Sequence, residues 1–158
     1  MDGFLLQIFS GLANGSIYAA VGLALVMIYQ STHHINFAQG EMATFATFIA
    51  WSLIENGMSY WLAFFLTVGI AFVGGLAVQR IFIRPVERAP ILNNVIVFVG
   101  LLVIFNALSG WIFDHTVKAF ASPFPTVSAV FPKYISGHQL GSLGVTLAVL
   151  LVVYLFFR

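Results

Sequence analysis

The sequence predicts an all-α fold, a polytopic bundle of transmembrane helices with about five membrane segments. Three observations predict it. Of the 158 residues, 61% are hydrophobic and only 7% charged, against roughly a quarter charged in a soluble domain. The mean hydropathy is +1.03. The apolar residues also gather into runs near the length of a bilayer crossing, parted by polar or proline-bearing connectors. A domain of this size keeps too large a surface fraction to hide so many apolar side chains from water, so its natural solvent is lipid.

The runs follow in order. The first covers residues 4–29, the second 42–54, the third 61–78, the fourth 95–113 and the fifth 140–157. Met1-Asp2-Gly3 lacks a positive leader region, and the first run is too long for a secretory signal, so it is expected to be a retained helix. The second run reaches a crossing length of roughly 20 residues only if it extends back through Ile35-Asn36-Phe37-Ala38-Gln39-Gly40-Glu41. It is therefore either a full span with polar residues at one end, or a short helix preceded by irregular backbone. Such backbone is tolerated at membrane depth only where protein or a water-filled cavity covers it.

Orientation follows from Lys and Arg. Arg80, Arg84 and Arg88 crowd the connector between the third and fourth runs, and Arg158 follows the fifth. Basic connectors stay cytoplasmic, so these three arginines are read as cytoplasmic anchors resting on phospholipid headgroups. Residues 114–139 are then an outer loop, and the N-terminus is outside if all five runs span. In that loop Pro123, Pro125 and Pro132 disfavour helix. Phe120, Phe124, Phe131 and Tyr134 suit a membrane surface.

In the first run Gly11, Gly15, Ala19 and Gly22 fall in one arc at ~100° per residue, the pattern that lets helices approach closely. Thr67, Ala71 and Gly75 repeat it in the third run. Both sets are read as helix-packing residues. Glu41 stands at the mouth of an apolar run, where a carboxylate is costly and by default a candidate functional residue. A helix beginning near Gly40 would place Glu41 in its first turn, where the macrodipole favours negative charge. Glu41, Thr44, Phe48 and Ser52 would share a helix face; Asn36 and Gln39 would join them only across a break at Gly40. Asn36, Gln39, Glu41 and Thr44 are the expected substrate-path residues. Asn106 and Ser109, three apart, could hydrogen-bond a neighbouring helix.

Absences narrow the chemistry. There is no cysteine, and adjacent His33 and His34 do not share a helix face, so no metal site and no cofactor are expected. The chain has no phosphate-binding G-x-x-x-x-G-K-[ST] loop, no H-E-x-x-H and no G-x-S-x-G, so it is read as a transport component and not an enzyme. With a net charge of +1 and no basic footprint, nucleic acid is not an expected partner. The lipid bilayer is.

Gly11-Leu12-Ala13-Asn14-Gly15-Ser16-Ile17-Tyr18-Ala19-Ala20-Val21-Gly22, then Ile35-Asn36-Phe37-Ala38-Gln39-Gly40-Glu41, then Arg84-Pro85-Val86 resemble the branched-chain amino-acid permease family. These are inner-membrane subunits of ATP-binding-cassette importers. The resemblance runs through essentially the whole chain, and the segment ending in Glu41 is its most specific part. Where the family usually has histidine this chain has Gln39, which keeps hydrogen-bonding capacity but does not titrate near neutral pH. The resemblance implies a single transmembrane permease domain over residues 1–158, the N-terminal portion of a longer one, in a bacterial-type cell inner membrane. It implies leucine, isoleucine, valine or a related small amide such as urea as substrate. It implies as partners a second permease subunit, two cytoplasmic ATPase subunits that hydrolyse the ATP, and an extracytoplasmic substrate-binding protein. The alternatives are an ATP-independent secondary transporter or channel, and a non-transporting membrane scaffold subunit.

Overall fold

A computed structural model describes residues 2–120, 122–124 and 135–158. Pro125, Phe131, Pro132 and Tyr134 of the expected outer loop lie outside the described residues. The fold is all-helical, with α1 at Asp2–Thr32, α2 at Gln39–Glu55, α3 at Tyr60–Val78, α4 at Ile91–Phe113 and α5 at Gly137–Phe157. Four stretches are long and apolar enough to cross a membrane: Gly3–Thr32, Tyr60–Val86, Ile91–Phe113 and Gly137–Phe156. No more than 17% of the most apolar stretch of any of them is buried within the chain. Their apolar surface is therefore left for lipid or for other protein.

Each helix boundary has a local cause. α1 ends where His33 adopts a left-handed backbone, φ 55°, with its N–H still bonded to the Tyr29 carbonyl at 2.7 Å. Histidine is among the few non-glycine residues enriched in that conformation. The Thr32 hydroxyl donates back to the Ile28 carbonyl at 2.8 Å. α2 closes in a Schellman motif: Gly57 sits at φ 87°, its N–H bonds the Ile54 carbonyl, and the Met58 N–H bonds the Leu53 carbonyl. That positive φ calls for glycine. α4 begins four residues earlier than the apolar run alone predicts, because Pro90 fixes its N-cap and Asn94 is buried in its first turn. Asp114, at φ 69°, ends it and accepts from the His115 N–H through its own carboxylate. α5 opens with a capping box in which Ser136 Oγ accepts from Gln139 N–H and Gln139 Oε1 accepts from Ser136 N–H.

The chain forms two compact units. One comprises residues 1–27 and 121–158. Within it Ala13 is buried, and Thr146 of α5, itself buried, donates to the Ser16 carbonyl of α1 at 3.5 Å. The other unit, residues 28–120, is a three-helix arrangement with α2 against both α3 and α4. α3 does not stop at Val78. It loosens into a π-helical turn, Gln79–Ile83, and tightens into a 3₁₀ turn that holds Pro85, Arg84–Val86, before Pro90 leads the chain into α4.

The core of this second unit is small. Ala38, fully buried, packs with Ile83, Phe98 and Leu101, flanked by Met42, Val78, Val97, Leu102 and Phe105. Lipid tails are as apolar as these side chains, so van der Waals fit and interhelical hydrogen bonds hold the helices together more than water exclusion does.

Candidate functional site

The second apolar run is the short-helix alternative of the two that the sequence allowed. Residues 33–38 are not helical, and α2 has 17 residues. The break falls before Gly40, which is already helical; this corrects the expectation that Gly40 itself interrupts the helix. Asn36 makes the break instead. Its Oδ1 accepts from the Ala38 N–H at 3.0 Å, its carbonyl accepts from the Gln39 N–H at 3.2 Å, and its amide reaches Met42 Sδ at 4.0 Å. This is an Asx turn, the side chain standing in for a backbone partner. Asn36 is nearly buried and Gln39 half-buried.

α2 and α4 run parallel. Ala38 meets Phe98 and Leu101, Glu41 meets Asn106, Phe45 meets Phe105 and Phe113, and Phe48 stacks on Phe113 at 5.3 Å. Beyond the end of α4, Lys118 Nζ lies 5.0 Å over the Trp51 ring. Because Ala38 is level with Phe98 and Leu101, α2 starts beside the middle of α4, not at its end. α4 has 23 residues, about 34 Å of helix, and Asn106 sits roughly 6 Å from its midpoint. Ile83, three residues from the end of the Tyr60–Val86 stretch, shares the cluster of Ala38, Phe98 and Leu101, so the polar break also lies level with the end of that stretch.

The Asn106 side-chain amide donates to Glu41 Oε2 at 3.3 Å. Glu41 occupies the first turn of α2, so the helix dipole stabilises its charge as well. Thr44, on the outer face of α2, donates to the Gly40 carbonyl at 3.0 Å, and Thr47 does the same to Ala43 at 2.9 Å. Glu41 is half-buried, while Thr44, Thr47 and Asn106 are exposed. The structure thus joins Glu41 to Asn106, a bond to a neighbouring helix of the kind expected at Asn106 but with a partner the sequence did not identify. Ser109 bonds its own Phe105 carbonyl at 2.8 Å, the usual back-bond of a helical hydroxyl, and not a neighbouring helix. The Phe45, Phe48, Phe105 and Phe113 cluster above the pair was also missed; the sole signal was aromatic spacing.

An apolar cavity of about 250 Å³ adjoins α2 on its other side. Met42, Ala46 and Ile49 face Ala71, Gly74 and Gly75 of α3 across it, with Phe105 at its margin. Of the small residues expected in α3, Thr67 is buried against its neighbours and Ala71 and Gly75 border this cavity. In α1 the Gly11, Gly15, Ala19 and Gly22 stripe is exposed, and a Cβ added at any of its glycines would meet nothing within 4 Å. Arg80, Arg84 and Arg88 are all exposed at the α3–α4 connector.

The sequence pattern that defines the family described as "Branched-chain amino acid transport system / permease component" matches residues 7–158. The chain belongs to that family. It is a multi-pass membrane permease component of this transport class. It is 30% identical over 107 residues to the high-affinity branched-chain amino acid transport system permease protein LivH of Escherichia coli strain K12. It is 29% identical over the same length to the LivH protein of Salmonella typhimurium. Each match covers 62% of this chain and 35% of the relative, so the chain aligns with about a third of the length of these curated permeases. No solved structure matches it.

Proposed function

We propose that this permease component lines part of the substrate path of an ATP-driven importer in a bacterial-type inner membrane. Leucine, isoleucine, valine or a related small amide such as urea is the cargo. A second permease subunit completes the path, two cytoplasmic ATPase subunits supply ATP hydrolysis, and an extracytoplasmic binding protein delivers substrate. The transport system named for the LivH relatives supports the amino-acid assignment, and the absence of a phosphate-binding loop in this sequence supports an external ATPase.

The Glu41–Asn106 pair carries this reading. A carboxylate and a carboxamide between two helices, the carboxamide on the 23-residue apolar α4, are too polar to face acyl chains. They face water or protein, as the irregular backbone before α2 also does wherever it lies within the membrane. Asn36 and Gln39 stand at the inner mouth of the α2 face that carries Glu41 and Thr44. The nucleotide state of the ATPases then selects between conformations that open this face to one side or the other.

The test is uptake by the assembled transporter in proteoliposomes. Uptake requires ATP on the ATPase side, and Glu41→Ala lowers it by about tenfold or more with assembly intact. Uptake that tracks a proton or sodium gradient and ignores ATP would replace this reading with a secondary transporter. Unchanged uptake in Glu41→Ala would reduce the chain to a scaffold.

A further inference from the structure

The connector between α3 and α4 concentrates charge that the polar break does not use. Arg80, Arg84 and Arg88 are all exposed, and among the described residues none of the three has a side-chain partner. Against the single carboxylate of Glu87 they leave a surplus of two positive charges over residues 79–90 (three arginines less one glutamate). The N-terminus of α4 adds to the same sign. Pro90 supplies no capping side chain, and the first turn holds no acid to offset the dipole.

Exposed apolar side chains flank these cations directly. Ile81 and Phe82 project from the π-helical turn, and Ile91 and Leu92 from the first turn of α4, each of them exposed. Arg80, Ile81 and Phe82 lie in the π-helical turn, and Arg84 opens the 3₁₀ turn that follows. The connector itself is tight, with Glu87 N–H on the Arg84 carbonyl and Ala89 N–H on the Val86 carbonyl. The arginines are thus displayed on a short, ordered turn.

We propose that this connector binds an anionic phospholipid, with the phosphate held by Arg80, Arg84 and Arg88 and the acyl chains laid along Ile81, Phe82, Ile91 and Leu92. Charge complementarity selects the occupant. A soluble anion would satisfy the guanidinium groups but make no use of the four large apolar side chains beside them. A zwitterionic lipid would cover the apolar side chains, but its own ammonium would compete for the phosphate. A headgroup of net negative charge on two acyl chains meets both demands, and the end of a membrane-spanning stretch, Tyr60–Val86, is where such a headgroup lies.

Native mass spectrometry of the purified chain tests this, using phosphatidylglycerol and phosphatidylcholine with identical acyl chains. The native chain is expected to retain phosphatidylglycerol preferentially, and each of Arg80→Gln, Arg84→Gln and Arg88→Gln is expected to lower the preference by about fivefold. Lysine at all three positions keeps the charge and most of the preference. Circular dichroism checks that each variant is helical; if the triple glutamine variant does not fold, the single variants decide. Equal retention of the two lipids by the native chain, or glutamine variants that keep the preference, would overturn the proposal. So would displacement of the lipid by millimolar inorganic phosphate, which would mark a soluble-anion site.

Discussion

Asn106 on α4 hydrogen-bonds Glu41 in the first turn of α2 at 3.3 Å, across 65 positions of sequence. The bond ties the first turn of α2 to the second half of α4. Among the described residues it gives the Glu41 carboxylate one neutral donor and no cation.

That pairing predicts a measurable coupling. A double-mutant cycle with Glu41→Ala and Asn106→Ala, read by unfolding in mixed micelles, should give about 0.6 kcal/mol and up to about 1.7, the average and maximum for interhelical hydrogen bonds in membranes. Asn106→Asp should destabilise more than Asn106→Ala, because it sets a second carboxylate against Glu41. Additive single effects would mean the bond contributes nothing.

The break before α2 depends on one side chain. Asn36→Ala leaves the Ala38 N–H without its acceptor at a fully buried residue, which should cost about 1–3 kcal/mol. Asn36→Ser keeps a neutral, weaker acceptor for that N–H and should lose less. Amide hydrogen exchange at Ala38 and Gln39 distinguishes the two: fastest in the alanine variant, slower in the serine variant.

Gly57 predicts a purely conformational effect. Its φ of 87° with open space around a built Cβ means that Gly57→Ala should destabilise through the backbone alone, by about 1–2 kcal/mol. Gly57→Asn, better tolerated in the left-handed region, should cost less. Equal losses for the two would point to a cause other than the turn.

The open stripe on α1 separates folding from assembly. Gly15→Leu meets nothing within the chain, so the stability of the isolated chain should hold or rise slightly with the gain in helix propensity, by up to about 1 kcal/mol. If Gly11, Gly15, Ala19 and Gly22 dock another helix, the same substitution should abolish copurification with the second permease subunit. Normal assembly of Gly15→Leu would remove the packing role from this stripe.

Water access along the polar face can be read directly, because the chain has no cysteine. Thr44→Cys and Thr47→Cys in the assembled transporter should react with a membrane-impermeant maleimide, whereas Phe72→Cys, on the exposed apolar surface of α3, should not. Protection of both threonine positions in every nucleotide state would place protein, not a path, over that face.

Much of the fold was legible because it rests on local properties. Hydropathy located five helices, and a carboxylate beside an apolar run marked Glu41. The partner of Glu41 was not legible. Asn93, Asn94, Asn106 and Ser109 are all polar positions in or beside the fourth apolar run, and nothing in their spacing selects among them. The choice depends on the depth at which α2 begins, and that depth follows from Ala38 fitting against Phe98 and Leu101 once Asn36 has turned the chain.

The sequence by itself determined that this protein is helical, lives in lipid and belongs with permeases, since composition, apolar run length and a short ordered motif act through solvation and local geometry. Tertiary structure alone decided that α2 runs parallel to α4 from the middle of its length, that Asn106 faces Glu41, and that Ser109 bonds its own helix. Those outcomes turn on which surfaces interlock, and in a uniformly apolar medium shape and single hydrogen bonds, not hydrophobicity, make that choice.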